Sequence, residues 1–202
     1  MKKGKLTREM IVQKAAPIFN SRGYFGASIS DVMEATGLEK GGIYNHFASK
    51  DELALAAFDH IMTINGTRVR EAVEAQVSAS DKLYAFLEAF AELVTNPSVP
   101  GGCPLMNCAV DSDDAHPVLR RKVRAAMKRL LSWVESMVQA GVDCGEFNFD
   151  IDPASAAVFI VASIEGGMML SKLYEEPMRM HAVTRNLKVY VSNCKRVEVG
   201  HA

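Results

Sequence analysis

Between positions 40 and 50 the chain places Lys40, Tyr44, Asn45, His46 and Lys50 among small and apolar neighbours. Ammonium, phenol, carboxamide and imidazole groups at this density neutralise charge and form hydrogen bonds. That chemistry grips phosphates and reads base edges. A lysine such as Lys40 can donate to guanine O6 and N7 or to a phosphate, and Asn45 carries the donor and acceptor pair that fits adenine. Tyr44, His46 and Lys50 can donate to phosphates, while Gly41 and Gly42 let the backbone come close to a DNA strand. Ser28, with the free N–H groups of the helix it would open, offers one more anion site.

Other chemistries find less in the sequence. A di-iron helical bundle needs paired Glu-x-x-His motifs, and here that spacing occurs once, at Glu198 and His201. No Ser-His-Asp arrangement or phosphate-cradling glycine loop stands out, so a helical-bundle enzyme is the alternative of a different class. No cofactor or metal is expected. Cys103, Cys108, Cys144 and Cys194 have neither metal-site nor redox-motif spacing, and the basic start (Lys2, Lys3, Lys5) leads into a polar helix rather than an apolar leader. The expectation is reduced thiols and a cytoplasmic location. Cys103, near the start of a short helix, could have a lowered thiol pKa and sense oxidants or electrophiles. The competing reading is a small buried residue with inert sulfur.

The elements that must position these groups follow from caps and spacing. Ser28 with Asp31 forms a capping box, and the helix it opens carries Ile29, Val32 and Met33 before stopping at Gly37, where a turn between crossed helices needs positive φ. A second, short helix over 39–46 keeps Ile43 and Phe47 on one face, toward a small core, and turns Lys40, Gly41, Tyr44 and Asn45 outward. Two helices so arranged are a helix-turn-helix, although an ordinary αα-hairpin fits the same spacing. Ahead of them a helix is expected over 7–22, with Thr7 as N-cap, a bend at Pro17 and Gly23 past its end. Lys2, Lys3 and Lys5 read as a mobile arm, and Tyr24 and Phe25 as the lid of the small core.

After that, Ser49 and Glu52 cap a connector helix over 50–77, and Ser80 and Asp81 cap the next, to 95. A short helix starts at Pro104 and ends in the acids Asp111, Asp113 and Asp114. A long amphipathic helix starts at Pro117 and stops at Gly141, Asp152-Pro153 opens the most apolar one, and Pro177 restarts the last. The reading is all-α: a three-helix head over residues 1–49, followed by a larger body of five or six helices over 50–202. The 202 residues, 49% hydrophobic and 23% charged, suffice for one large or two small domains. The longest apolar run, 154–164, is too short to span a bilayer, so no membrane is expected. Net charge is −1 overall, yet residues 1–50 hold eight Lys/Arg against four Asp/Glu, so the rest is acidic. A basic head on an acidic body suits a protein that brings one end to a phosphate backbone.

FNSRGYFGASISDVMEATGLEKGGIYNHFASKDEL resembles the DNA-binding head of the TetR family of transcriptional regulators, with Gly23, Gly37, Tyr44, His46, Phe47, Ser49, Lys50 and Leu53 in register. GGCPLMNCAVD is similar to a Gly-Cys segment seen in one branch of it. Two positions depart: Gly42 replaces a common Ser or Thr, and Asn45 stands where an aromatic residue or His is frequent. The resemblance implies a repressor whose second head helix enters the major groove of a palindromic double-stranded operator. It also implies a homodimer through the last two helices, where Gly166 and Gly167 suit close helix approach, and release by a small-molecule effector. A ligand-binding pocket would draw on Phe86, Phe90, Cys103, Met106, Met127, Leu130, Trp133 and Phe159, residues equally at home in a plain helical core.

Overall fold

The structure, a computed structural model, describes residues 2–112 and 116–196; Asp113, Asp114, Glu198 and His201 lie outside them. The described residues form nine α-helices and no strand: α1 (Lys2–Gly26), α2 (Ile29–Thr36), α3 (Lys40–Tyr44), α4 (Lys50–Glu74), α5 (Ala79–Thr95), α6 (Pro104–Asp111), α7 (Pro117–Asp143), α8 (Pro153–Tyr174) and α9 (Met178–Cys194). Contacts divide the chain into two compact units, Met1–Gly66 with Pro97–Arg124, and Thr67–Asn96 with Ala125–Ala202. Because α4 and α7 each supply residues to both, these packing units do not follow a cut after residue 49.

In the first unit, α1 starts at Lys2, so Thr7 is an interior residue and not the cap, and the basic segment expected as an arm is helical. A Lys5–Glu9 pair one turn apart supports this extra length. The helix also passes through Pro17, and the one residue inside it with non-helical angles is Gly23, at φ 73°. Burial of Ala15, Ala16 and Phe19 on either side of Pro17 outweighs the single lost backbone bond. Ser28 caps α2 in a full capping box, and Gly37 closes it at φ 69°, its N–H donating to Met33 O. Ser49 Oγ accepts from the Glu52 N–H while the Glu52 carboxylate accepts from Ala48, which fixes the start of α4.

The core of this unit joins Ile11, Val32, Ile43, Phe47, Leu53 and Ile61 with Val99 from the segment before α6. Burying Phe47 and Ile43 completely stabilises the head by about 2 kcal/mol each, and that seat leaves α3 no freedom to rotate. Tyr24 packs against the core as expected, but Phe25 is 57% exposed and covers none of it.

In the second unit Ser78, rather than Ser80, caps α5, accepting from the Asp81 N–H. Ser80 is buried, and the Glu146 carboxylate accepts the N–H groups of Ala79 and Ser80. Gly141 does not end α7, which runs to Asp143. The missing Cβ instead makes room for the ring of Phe147 and the methyl of Ala79. α8, opened by Asp152, packs against α5 and α9. It is long and apolar enough to cross a bilayer by length and composition, with mean hydropathy 1.6, but it buries Ala157, Ile160, Ile164, Gly167 and Met168 inside this unit. Gly167 is where α9 comes close, since a Cβ there would lie 2.8 Å from Met180 Sδ.

Candidate nucleic-acid interface

With Ile43 and Phe47 pinned inward, the remaining groups of α3 and its C-terminal turn have one direction left. Lys40, Gly41, Tyr44 and Asn45 are exposed; Gly42, His46 and Lys50 are half-exposed. Lys40 and Tyr44 lie one turn apart, with Lys40 Nζ 5.9 Å from the ring centroid. No side chain blocks Gly41, where an added Cβ would meet nothing within 4 Å, and one at Gly42 would reach only Leu38, at ordinary contact distance. Neither glycine is required by the packing of the head.

Charge is distributed unevenly over the head. Arg8 pairs with Glu52 at 3.5 Å and Arg22 with Asp31. Lys40 and Lys50 have no ion pair among the described residues, and each lies over an aromatic ring instead, Lys50 Nζ at 4.6 Å from the centroid of Tyr24. A ring face holds an ammonium without neutralising it, so both cations stay available to a phosphate or a base.

Ser28 is placed differently from the other candidates. Its backbone N–H and its hydroxyl both donate to Asp31 Oδ2, at 2.7 Å. Hydrogen bonds from Ser28, then the Arg22 charge, hold the Asp31 carboxyl below its ordinary range. A phosphate approaching the first turn of α2 would meet that carboxylate, so the hydroxyl serves as a cap before it serves as a ligand.

The residues expected to form a ligand pocket are brought together only in part. Phe86, Phe90 and Trp133 form an aromatic cluster in the second unit, with centroids 4.8 and 5.7 Å from that of Phe86. Met127 and Leu130 are half-buried members of the same unit. Phe159 is 49% exposed and packs on Tyr190, at 4.8 Å. Cys103 and Met106 belong to the first unit. A cleft of 660 Å³ lined by Val73, Trp133, Met137, Cys144 and Glu146 opens beside the aromatic cluster. Arg124 and Lys128 are exposed.

Cys103 is buried, at the N-cap of α6. Cys108, five residues on, has its thiol pushed up to about 12 by burial and by the Asp111 carboxylate, which keeps the sulfur protonated and unreactive at neutral pH. Sequence reasoning missed Tyr24 as the seat of Lys50, along with the Asp111 carboxylate that accepts the Tyr24 N–H and the bonds that Asn107 of α6 donates to Asn20. An aromatic after a helix-ending glycine gives no hint of the cation it will hold.

Two family profiles match the chain. "Bacterial regulatory proteins, tetR family" covers residues 11–57, and "Tetracyclin repressor-like, C-terminal domain" covers residues 79–187. A TetR transcriptional regulator from Chloroflexus aurantiacus superposes with a TM-score of 0.93 at 40% identity, over 98% of this chain and all of that one. The HTH-type transcriptional repressor DhaR of Mycobacterium sp. (strain GP1) is 24% identical over 82% of each chain. The fold also matches, at TM-score 0.82 and 22% identity over 90% of this chain and 94% of the other, a cysteine mutant of the TetR family regulator CifR complexed with double-strand operator DNA.

Proposed function

The chain belongs to the TetR family of transcriptional regulators, and from that footing we propose that it is a ligand-responsive repressor that binds a palindromic operator as a homodimer. It is a DNA-binding regulator and not an enzyme. In this reading residues 1–49 bind DNA, and residues 50–202 bind the effector and dimerise. The observation that carries it is the pairing of a fixed seat with unneutralised donors. Ile43 and Phe47 lock α3 from below, while Lys40, Tyr44 and Asn45 stand exposed above. α3 would enter the major groove with Lys40 and Asn45 toward base edges, and Tyr44, His46 and Lys50 would take phosphates. The repressor activity in the name of DhaR and the operator complex of CifR support this reading.

Two half-sites are needed because one short helix does not supply operator-level affinity. The dimer would form through α8 and α9. Val158, Met169 and Leu173 on α8, and Met178 and Val189 on α9, are exposed apolar residues at helical spacing. Gly166 adds no bulk there, since a Cβ would meet nothing within 4 Å. The effector would be largely apolar, held beside Phe86, Phe90 and Trp133, and its binding would spread the heads beyond the half-site spacing. Such a protein acts where the chromosome lies, in the cytoplasm.

Selection of bound duplexes from a random pool tests the proposal, followed by a screen for small molecules that release the selected site. A pseudo-palindromic consensus is expected. Equal binding to every duplex at modest salt would show an architectural role instead and end the repressor reading.

A further inference from the structure

Tyr24 meets the first residues of α4 and His116, just ahead of α7. Its ring lies under Lys50 Nζ, its hydroxyl donates to Asp51, and the edge of His116 meets it at 4.5 Å between centroids. His116 Nε2 is itself 3.4 Å from Asp51 Oδ2. Burial first, and then the hydrogen bond to Asp51, push the phenol up to about 12, so it remains a donor at any physiological pH.

What holds Tyr24 is α6. The Tyr24 backbone N–H donates to Asp111 Oδ2 at 2.7 Å. That carboxylate fills the space a side chain at Gly23 would occupy, which ties the glycine to the acid. One turn earlier on both helices, Asn107 Nδ2 donates to Asn20 O at 3.0 Å and to Gly101 O at 2.8 Å. Asn20 Nδ2 in turn donates to the carbonyls of Pro100 and Gly102, at 2.9 and 3.0 Å. Asn20 is buried, and a Cβ at Gly101 would lie 2.6 Å from its backbone. Two rungs, Asn107–Asn20 and Asp111–Tyr24, therefore clamp the end of α1 to α6.

We infer that Asp111 and Tyr24 are positioning residues for the DNA contact of Lys50: α6 grips the main chain of Tyr24, and the ring of Tyr24 seats the ammonium. A lysine side chain on its own samples many rotamers and gives up that freedom on meeting a phosphate. Held over a ring and with no ion pair among the described residues, Lys50 has already lost much of it. The inference rests on the reading of Lys50 as a phosphate ligand.

Salt dependence separates positioning from simple packing, because each phosphate contact contributes about 0.9 to the slope of log K against log salt. With the full-length protein and its selected operator, Lys50→Gln should lower the slope by about that amount per protomer. Asp111→Ala should produce the same fall in slope with about tenfold weaker binding. Asp111→Asn, whose amide oxygen can still accept the Tyr24 N–H, should restore both. In the Lys50→Gln background, Asp111→Ala should leave the slope where it is. Tyr24→Leu removes the ring but not the grip, and should also match Lys50→Gln; it carries the test if Asp111→Ala melts too low to assay. Weaker binding with an unchanged slope in either variant, or no rescue by Asp111→Asn, overturns the inference while leaving Lys50 a ligand. A wild-type slope for Lys50→Gln overturns both.

Discussion

Asp31 Oδ2 accepts two hydrogen bonds from Ser28, one from its backbone N–H and one from its hydroxyl, both at 2.7 Å. In return Ser28 Oγ accepts the Asp31 N–H at 3.2 Å. The first turn of α2, against which the short α3 is set, is closed by two residues and depends on one ionised carboxylate.

Ser28→Ala should therefore destabilise the protein by about 1 kcal/mol, read as a lower urea midpoint at unchanged slope. Asp31 supplies a pH dependence of known sign. Its folded pKa lies below the ordinary 3.8, so its contribution is complete above that value and fades as pH falls through the depressed one. Asp31→Asn should flatten the acid limb of a stability-against-pH curve; an unaltered limb would show that other carboxylates set it.

Gly41→Ala should move stability and function in opposite directions. The added methyl meets nothing inside the protein, and alanine favours the helix by up to about 1 kcal/mol over glycine. Thermal melting should rise or hold steady, while operator affinity falls about tenfold as the methyl intrudes on the DNA backbone. Unchanged affinity would place the first turn of α3 away from the duplex.

Tyr44→Ala should weaken operator binding by about tenfold or more and leave the dimer intact by sedimentation, because Tyr44 is 39% exposed and outside the head core. Loss of the dimer along with DNA binding would mean that the ring is structural.

Leu173→Glu, with a 70% exposed side chain on α8, should raise the dimer dissociation constant by about a hundredfold, since the proposed two-fold interface would bury the charge twice. Helical content should not change. A dimer that survives both Leu173→Glu and Met169→Glu would move the interface off this face.

Gly141→Ala should destabilise the second unit by about 1–3 kcal/mol, because the new methyl would overlap the ring of Phe147. Phe147→Ala in the same chain should return part of the loss, a non-additivity that a double-mutant cycle in urea would measure.

The DNA-reading end was largely legible in the sequence because its signals are local. The Ser28–Asp31 box, Gly37 and the Ile43/Phe47 spacing each act across four residues or fewer, where a capping bond or one helical turn decides the outcome. The same local rules misread Thr7, which a preceding turn of helix overran, and Gly141, a stop signal whose actual use is space for a ring.

By itself, then, the chain determined that it folds into helices, where α2 begins and ends, and which groups of α3 are presented outward, although α3 closes at Tyr44, two residues short of the expected 46. Tertiary structure decided what those groups rest on. The clamp of Asn107 on Asn20 and of Asp111 on Tyr24 joins residues 87 positions apart. Phe159 packs on Tyr190 rather than with Phe86 and Trp133. Pairings of that kind depend on the distance and angle between packed helices, and a periodicity that encodes which face is buried does not encode which partner it meets.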